Sequence, residues 1–256
     1  MELAGTSAIV TGGASGIGAA SARALTKRGA RCVLVDLNDE LGEAVAAELG
    51  GLYVRADVAD PEQVQAAVDA AMEMAPLRAA VNSAGIGLPG RTVDREGNPL
   101  PLPQFEKVIR VNLIGAYNCL RLEAAAMART EPVDADGTRG AIVNIASVAA
   151  YDGQIGQAAY SASKGGIIGM TLTTARDLSA QGVRVNTIAP GLIDTPIYGT
   201  GEKADAFKAK LGESVLFPRR LGTADELASM VVECLTNDYM NGETIRVDGG
   251  IRMPPR

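Results

Sequence analysis

In the stretch QAAYSASKGG, residues 157–166, one lysine stands within a helical turn of two different partners. Tyr160 and Lys164 are four residues apart and Ser161 and Lys164 three apart, and either spacing puts the pair on one face of a helix. A tyrosine beside a lysine can act as a phenolate that accepts a proton. An S-x-x-K pair is the arrangement of a serine nucleophile activated by lysine. The chain contains no histidine. Ser-His-Asp and Cys-His chemistry are therefore excluded, and the commonest ligand of catalytic zinc is absent. General-base work falls to Tyr, Lys, Asp or Glu, and no metal site is expected.

A second constellation lies near the start of the chain, in TGGASGIG, residues 11–18. Gly12, Gly16 and Gly18 give a G-x-x-x-G-x-G spacing, close to the dinucleotide fingerprint G-x-G-x-x-G. Residues without a Cβ let the backbone turn tightly against a pyrophosphate, whose charge is met by the N-terminus of the next helix. Ser15 and Ile17 belong to the same turn. Asp36 follows Gly18 by eighteen residues, at the end of the next apolar run, where a carboxylate can accept hydrogen bonds from an adenosine ribose. The same carboxylate would repel a 2′-phosphate, and neither TGGASGIG nor DLNDE offers a cation for one, so the expected cofactor is NAD. Asp57 and Val58, then Asn82, Ala84 and Gly85, extend the cleft along the strand ends.

These residues need a scaffold that brings strand ends together. Short β-branched runs (SAIVTG, RCVLVD, LYVRAD, AAVNSAG, GAIVNIAS, VRVNTIAP, ETIRVDGG) alternate with Ala-rich stretches of helical length at 16–28, 39–49, 61–74, 104–130, 158–180 and 223–236. Regular alternation predicts a parallel sheet with helices on both faces, and the strands read as continuous apolar runs because both their faces are buried. The expected fold is a single-domain α/β Rossmann-type doubly wound sheet spanning residues 1–256. Two irregular segments, 87–103 and 191–206, follow strand ends, where open α/β sheets bind ligands.

Composition sets the outer limits. A chain of 256 residues, 47% hydrophobic and 21% charged, is long enough for a substantial core. A net charge of −6, with no Lys/Arg-rich run, argues against nucleic acid as a partner. The longest apolar runs are too short and polar to span a bilayer, and the N-terminal residues show neither a signal nor a transit pattern, so a cytoplasmic protein without membrane contact is expected. Cys32, Cys119 and Cys234 are scattered singles that fit neither a disulfide framework nor metal-ligand spacing.

TGGASGIG, Asp57, NSAG, Asn112, Ser147, YSASK and the PG at 190–191 stand in the order of a classical short-chain dehydrogenase/reductase, which the chain resembles over essentially its whole length. ASVAAYDGQIGQAAYSASKGGIIGMTL, ARDLSAQGVRV, FPRRLG, NGETIRVDGGIRM and the insertion after NSAG look like the type 2 3-hydroxyacyl-CoA dehydrogenases, also known as 17β-hydroxysteroid dehydrogenase type 10. The resemblance implies an NAD-dependent homotetramer that oxidises short or branched 3-hydroxyacyl-CoA thioesters and also accepts hydroxysteroids. It assigns catalysis to Asn112, Ser147, Tyr160 and Lys164, with Ser147 on the substrate oxygen and Asn112 holding a water that links Lys164 to solvent. Gln154 corresponds to a substrate contact. Pro190, Gly191, Ile193 and Thr195 would pass the nicotinamide, with Thr195 on its carboxamide, and residues 192–217 would form a substrate lid.

The phenolate chemistry also stands without the family. Removing a hydride from a secondary alcohol requires its hydroxyl proton to leave, and a unit charge about 4 Å away at an effective dielectric near 20 is worth roughly 4 kcal/mol, enough to lower a phenol by about 3 pH units. The S-x-x-K reading would make Ser161 the nucleophile of a hydrolase or acyl transferase, but the partner motifs S-D-N and K-T-G are absent and the glycine turn with Asp36 would have no purpose. A non-catalytic NAD-binding sensor would not need Asn112, Ser147, Tyr160 and Lys164 together. Among enzymes, a 3-oxoacyl carrier-protein reductase shares most of these motifs but normally uses NADPH, which Asp36 opposes. The insertion and the lid keep the subfamily's approximate lengths but not its residues, which leaves the substrate open. Arg91, Arg95 and Lys203 are candidates for CoA phosphates beside an ordinary solvated role. The apolar tail ETIRVDGGIRMPP is a candidate subunit contact.

Overall fold

The structure, a computed structural model, describes residues 1–199 and 201–255. Seven parallel strands form the main sheet in the order β3-β2-β1-β4-β5-β6-β9: β1 Ser7–Thr11, β2 Arg31–Asp36, β3 Leu52–Arg55, β4 Leu77–Asn82, β5 Gly140–Ile145, β6 Val183–Pro190 and β9 Thr244–Val247. The order reverses between β1 and β4, so their carboxyl ends diverge and open a crevice. β1, β4, β5 and β6 are buried along their whole length, as the apolar runs predict.

Helices cover both faces. On one, α1 Gly16–Lys27, α2 Asp39–Leu49 and α8 Ala224–Thr236 enclose a core around Leu25, Val45, Leu34, Val143 and Val231. On the other, α3 Pro61–Met74, α5 Gly115–Ala128 and α6 Ala158–Leu178 pack over Val33, Val68, Leu120, Ile142 and Val185. This is the doubly wound fold.

Two expectations need correction. The helix expected over 104–130 is divided: α4 Leu102–Ile109 passes into one π-helical turn, Arg110–Ile114, before α5 begins. Nothing in RVNLI breaks a helix, so the wide turn has no local signature. The segment expected to be irregular from 191 is built instead. It holds β7 Ile193–Asp194, paired with β8 Gly222–Thr223, then a 3-10 turn at Pro196–Tyr198 and helix α7 Glu202–Gly212. Phe207 of α7 packs against Tyr198, and Lys208 bonds Asp194 at 2.8 Å. Thr200, inside the expected lid, lies outside the described residues. Of the segment 87–103, residues 87–101 carry only an isolated antiparallel bridge, Val93 to Pro99, and α4 begins at Leu102.

Candidate active site

A cavity of about 670 Å³ occupies the crevice at the sheet's reversal point and runs from Asp36 at one end to Tyr160 at the other. Its first wall is the glycine turn. Ser15 is the N-cap of α1, yet its side chain makes no capping bond, so the helix N-terminus presents its N–H groups toward the cavity. Gly12 and Gly16 have φ of +65° and +52°, and a Cβ on Gly12 would meet Ala84 N at 2.9 Å. The chain can pass there only without a side chain.

Asp36 closes this end. Its carboxylate accepts from the backbone N–H groups of Ala14 (3.1 Å), Leu37 (2.7 Å) and Asn38 (3.1 Å), which fixes its direction. Asp57, whose Oδ1 accepts from Ala59 N at 2.9 Å, lines the cavity with Val58. The nearby Arg55 is already paired with Asp39 at 2.9 Å. An anionic dinucleotide fits this donor set: a helix N-terminus, a glycine cradle and an oriented carboxylate lining one cavity.

At the other end α6 carries Tyr160 and Lys164 on one face, as their spacing requires. Lys164 is 4% exposed, and its Nζ donates to Ile145 O at 2.8 Å and stands 5.7 Å from the centre of the Tyr160 ring. Burial lowers the ammonium to about 8 and pushes the Tyr160 phenol up, while the Ser147 hydroxyl beside the phenol pulls it back down. The free site thus opposes charge separation. Ser147 caps the short turn Val148–Ala150, its Oγ accepting from Ala149 N at 3.1 Å, which leaves the hydroxyl hydrogen free to point elsewhere.

Ala84, Gly85, Pro190, Gly191, Ile193 and Thr195 complete the walls. Four expected site residues do not reach the cavity. A Cβ on Gly18 would collide with the Gly12 carbonyl, so this glycine serves the packing of α1 on the turn. Asn82 points away from the cavity, to Glu123 and Asn144. Gln154 donates to Pro254 O at 3.1 Å, and Ile155 N bonds Pro255 O at 3.0 Å. The tail that is a candidate subunit contact also straps the chain's own loop ahead of α6, with Ile251 buried against Val148 and Val215. Asn112, wholly buried in the π-helical turn, accepts from Ile86 N at 2.8 Å and donates to Ile86 O at 2.9 Å and Ser163 Oγ at 3.0 Å. Its two amide hydrogens are spent on Ile86 O and Ser163 Oγ, which ties the Ile86 backbone to α6. A Cβ on Gly85 would sit 3.2 Å from Asn112 Oδ1, a tight contact, and 3.5 Å from Lys164 Nζ, an ordinary one, so the three groups meet closely here.

Comparison with known proteins gives the family. A family described as enoyl-(acyl carrier protein) reductase matches residues 12–252. The 3-hydroxyacyl-CoA dehydrogenase type-2 of Rattus norvegicus is 48% identical over 98% of this chain and 97% of its own. The chain belongs to the short-chain dehydrogenase/reductase family. The crystal structure of 3-hydroxyacyl-CoA dehydrogenase type-2 from Mycobacterium avium superposes with a TM-score of 0.93 at 46% identity, covering 98% of both chains. A 3-alpha-(or 20-beta)-hydroxysteroid dehydrogenase of Mycobacterium bovis is 36% identical over 97% of this chain and 90% of its own.

As a short-chain dehydrogenase the protein is an oxidoreductase that works with a nicotinamide cofactor. No helix among the described residues is long and apolar enough to cross a membrane. Lys107, Val111 and Tyr198 are among the wall residues of this dehydrogenase that the sequence did not point to. Lys107 on α4 lies four residues before Val111 of the π-helical turn, and both reach the cavity. That i, i+4 relation was a usable signal. Tyr198, whose phenol is pushed up chiefly by burial and further by Tyr160, comes from the segment whose structure was not foreseen.

Proposed function

We propose that this dehydrogenase uses NAD to oxidise a short or branched (S)-3-hydroxyacyl-CoA to the 3-oxoacyl-CoA. The observation that carries the reading is the gap between 48% identity to 3-hydroxyacyl-CoA dehydrogenases type-2 and 36% to hydroxysteroid dehydrogenases, both over nearly the whole chain. Bound NAD would supply the hydride acceptor. Gly12, Ser15, Gly16 and Ile17 would face its pyrophosphate, Asp36 its adenosine ribose, and Asp57, Val58, Ala84 and Gly85 the side between them. Pro190, Gly191, Ile193 and Thr195 would border the nicotinamide.

Tyr160, as the phenolate, takes the hydroxyl proton while the carbinol C–H electrons leave as hydride and the C=O bond forms. Lys164 keeps that phenolate accessible by placing a positive charge beside it, an effect that the positive charge of the oxidised nicotinamide reinforces against burial. Ser147 donates its hydroxyl hydrogen to the substrate oxygen as charge develops there. Asn112 holds Ile86, and so the wall next to Gly85, rather than touching substrate.

NAD over NADP rests on Asp36, since a 2′-phosphate would meet a carboxylate already oriented by three N–H groups. We take a cytoplasmic homotetramer as the setting. The exposed Leu102, Ile114, Tyr117 and Leu172 on α4 to α6 favour such assembly. The test is the purified protein with a short-chain (S)-3-hydroxyacyl-CoA. NADH should accumulate, with kcat/KM for NAD well above that for NADP, and comparable or higher activity with NADP would overturn the cofactor assignment.

A further inference from the structure

The proposed chemistry leaves one buried acid unused. Glu123 on α5 is 0% exposed, and its Oε2 accepts from Asn82 Nδ2 at 3.0 Å. The same Nδ2 donates to Asn144 Oδ1 at 3.1 Å. Asn82 and Asn144 are register partners on β4 and β5. Asn82 is the last residue of β4 and leads into Ser83, Ala84 and Gly85 of the cavity wall. Asn144 precedes Ile145, whose carbonyl receives Lys164 Nζ, and lies three residues before Ser147. Three buried polar atoms of this cluster, Asn82 Oδ1, Glu123 Oε1 and Asn144 Nδ2, have no partner among the described residues.

We propose that Glu123 is a positioning residue for the reaction: its carboxyl group clamps the Asn82–Asn144 pair and fixes the two strand ends that carry the cofactor wall and the anchor of Lys164. The clamp works with a protonated carboxyl, whose O–H supplies a donor where the cluster otherwise has two unmatched oxygens. Burial pushes this carboxyl up to about 8, against the Asn82 amide, which pulls it down. No charge faces it among the described residues. α3 turns Val64, Ala67, Val68 and Ala71 toward α5, β4 and β5 present the two asparagines, and β6 contributes Val183 and Val185. On α5 itself the titratable neighbour is the Cys119 thiol, raised by burial and by Glu123. An ionised Glu123 would be a buried carboxylate held by one N–H, and the strand ends must shift to solvate it.

The inference rests on the dehydrogenase reading of the cavity, and its test needs no substrate. Calorimetric titration with NAD between about pH 6.5 and 9.5 is compared for the wild type, Glu123→Gln and Glu123→Leu. Wild-type Kd should rise as pH passes about 8. Glu123→Leu should weaken NAD binding about tenfold at neutral pH, and Glu123→Gln should restore most of that affinity with a smaller alkaline rise than the wild type, what is left being the share of Lys164, which titrates at about 8 in both. Identical pH profiles for wild type and Glu123→Gln, or wild-type affinity in a folded Glu123→Leu, would overturn the proposal. If Glu123→Leu does not fold, the Gln comparison decides alone. A missing thioester turnover would sink the functional reading and leave this result untouched.

Discussion

The two ends of the cavity are built by opposite means. At the Asp36 end the walls are backbone: glycines at positive φ, a contact at Gly12 too close for a methyl, and a carboxylate held by three N–H groups. At the far end the walls beyond Tyr160 are side chains, Tyr198 and Pro196 from the 3-10 turn, with α7 and its half-exposed Phe207 behind them. Where backbone approach makes the site, sterics dictate the residue and the site keeps one shape. Where side chains make it, many residues serve, and selectivity for the acyl chain can change without disturbing the chemistry.

That contrast predicts a ranking of effects. Tyr160→Phe should lower kcat about 10²- to 10⁴-fold with NAD affinity retained, whereas Ser161→Ala should change kcat little. Steady-state rates for the two variants check this, and a dead Ser161→Ala would contradict the phenolate mechanism. Gly18→Ala forces a Cβ into the Gly12 carbonyl and should destabilise the fold by about 1–3 kcal/mol, read as a lower Tm and weaker NAD binding. Asp36→Ala should raise KM for NAD roughly tenfold and narrow the preference over NADP, which parallel titrations would show. At the other end, Gln154→Ala removes only a tether to Pro254 and should alter kcat/KM about twofold or less.

Stability should report the two buried groups with opposite signs. Glu123 titrates at about 8 when folded against 4.5 when exposed, so the folded state holds the extra proton between those values and stability falls as pH rises through them, by about 1.4 kcal/mol per pH unit at most. Lys164 titrates at about 8 against 10.5, so the unfolded state binds the extra proton there and stability rises from about 8 to about 10.5. Thermal melts should show the acid-side fall in the wild type and its absence in Glu123→Gln.

The strand and helix order, the glycine turn and the Tyr160–Lys164 face were legible because each follows from periodicity or from residues whose geometry is intrinsic. Gly18 and Asn82 show the limit: spacing marks them as part of the motif but does not separate residues that touch a ligand from residues that support the wall. The π-helical turn at Asn112 was hidden because it depends on what the helix packs against, not on RVNLI itself. Glu123 was invisible for a similar reason, since a glutamate in a helix reads as surface until the fold buries it against Asn82. The lid remained open because α7 is set by contacts such as Phe207 with Tyr198 rather than by a local pattern.

The central claim, that this cavity oxidises short 3-hydroxyacyl-CoA thioesters, is tested most directly by kcat/KM with NAD across a panel of 3-hydroxyacyl-CoA chain lengths, a hydroxysteroid and a simple secondary alcohol. The account predicts the highest value for a short or branched (S)-3-hydroxyacyl-CoA. A higher value for the steroid or the simple alcohol would contradict it.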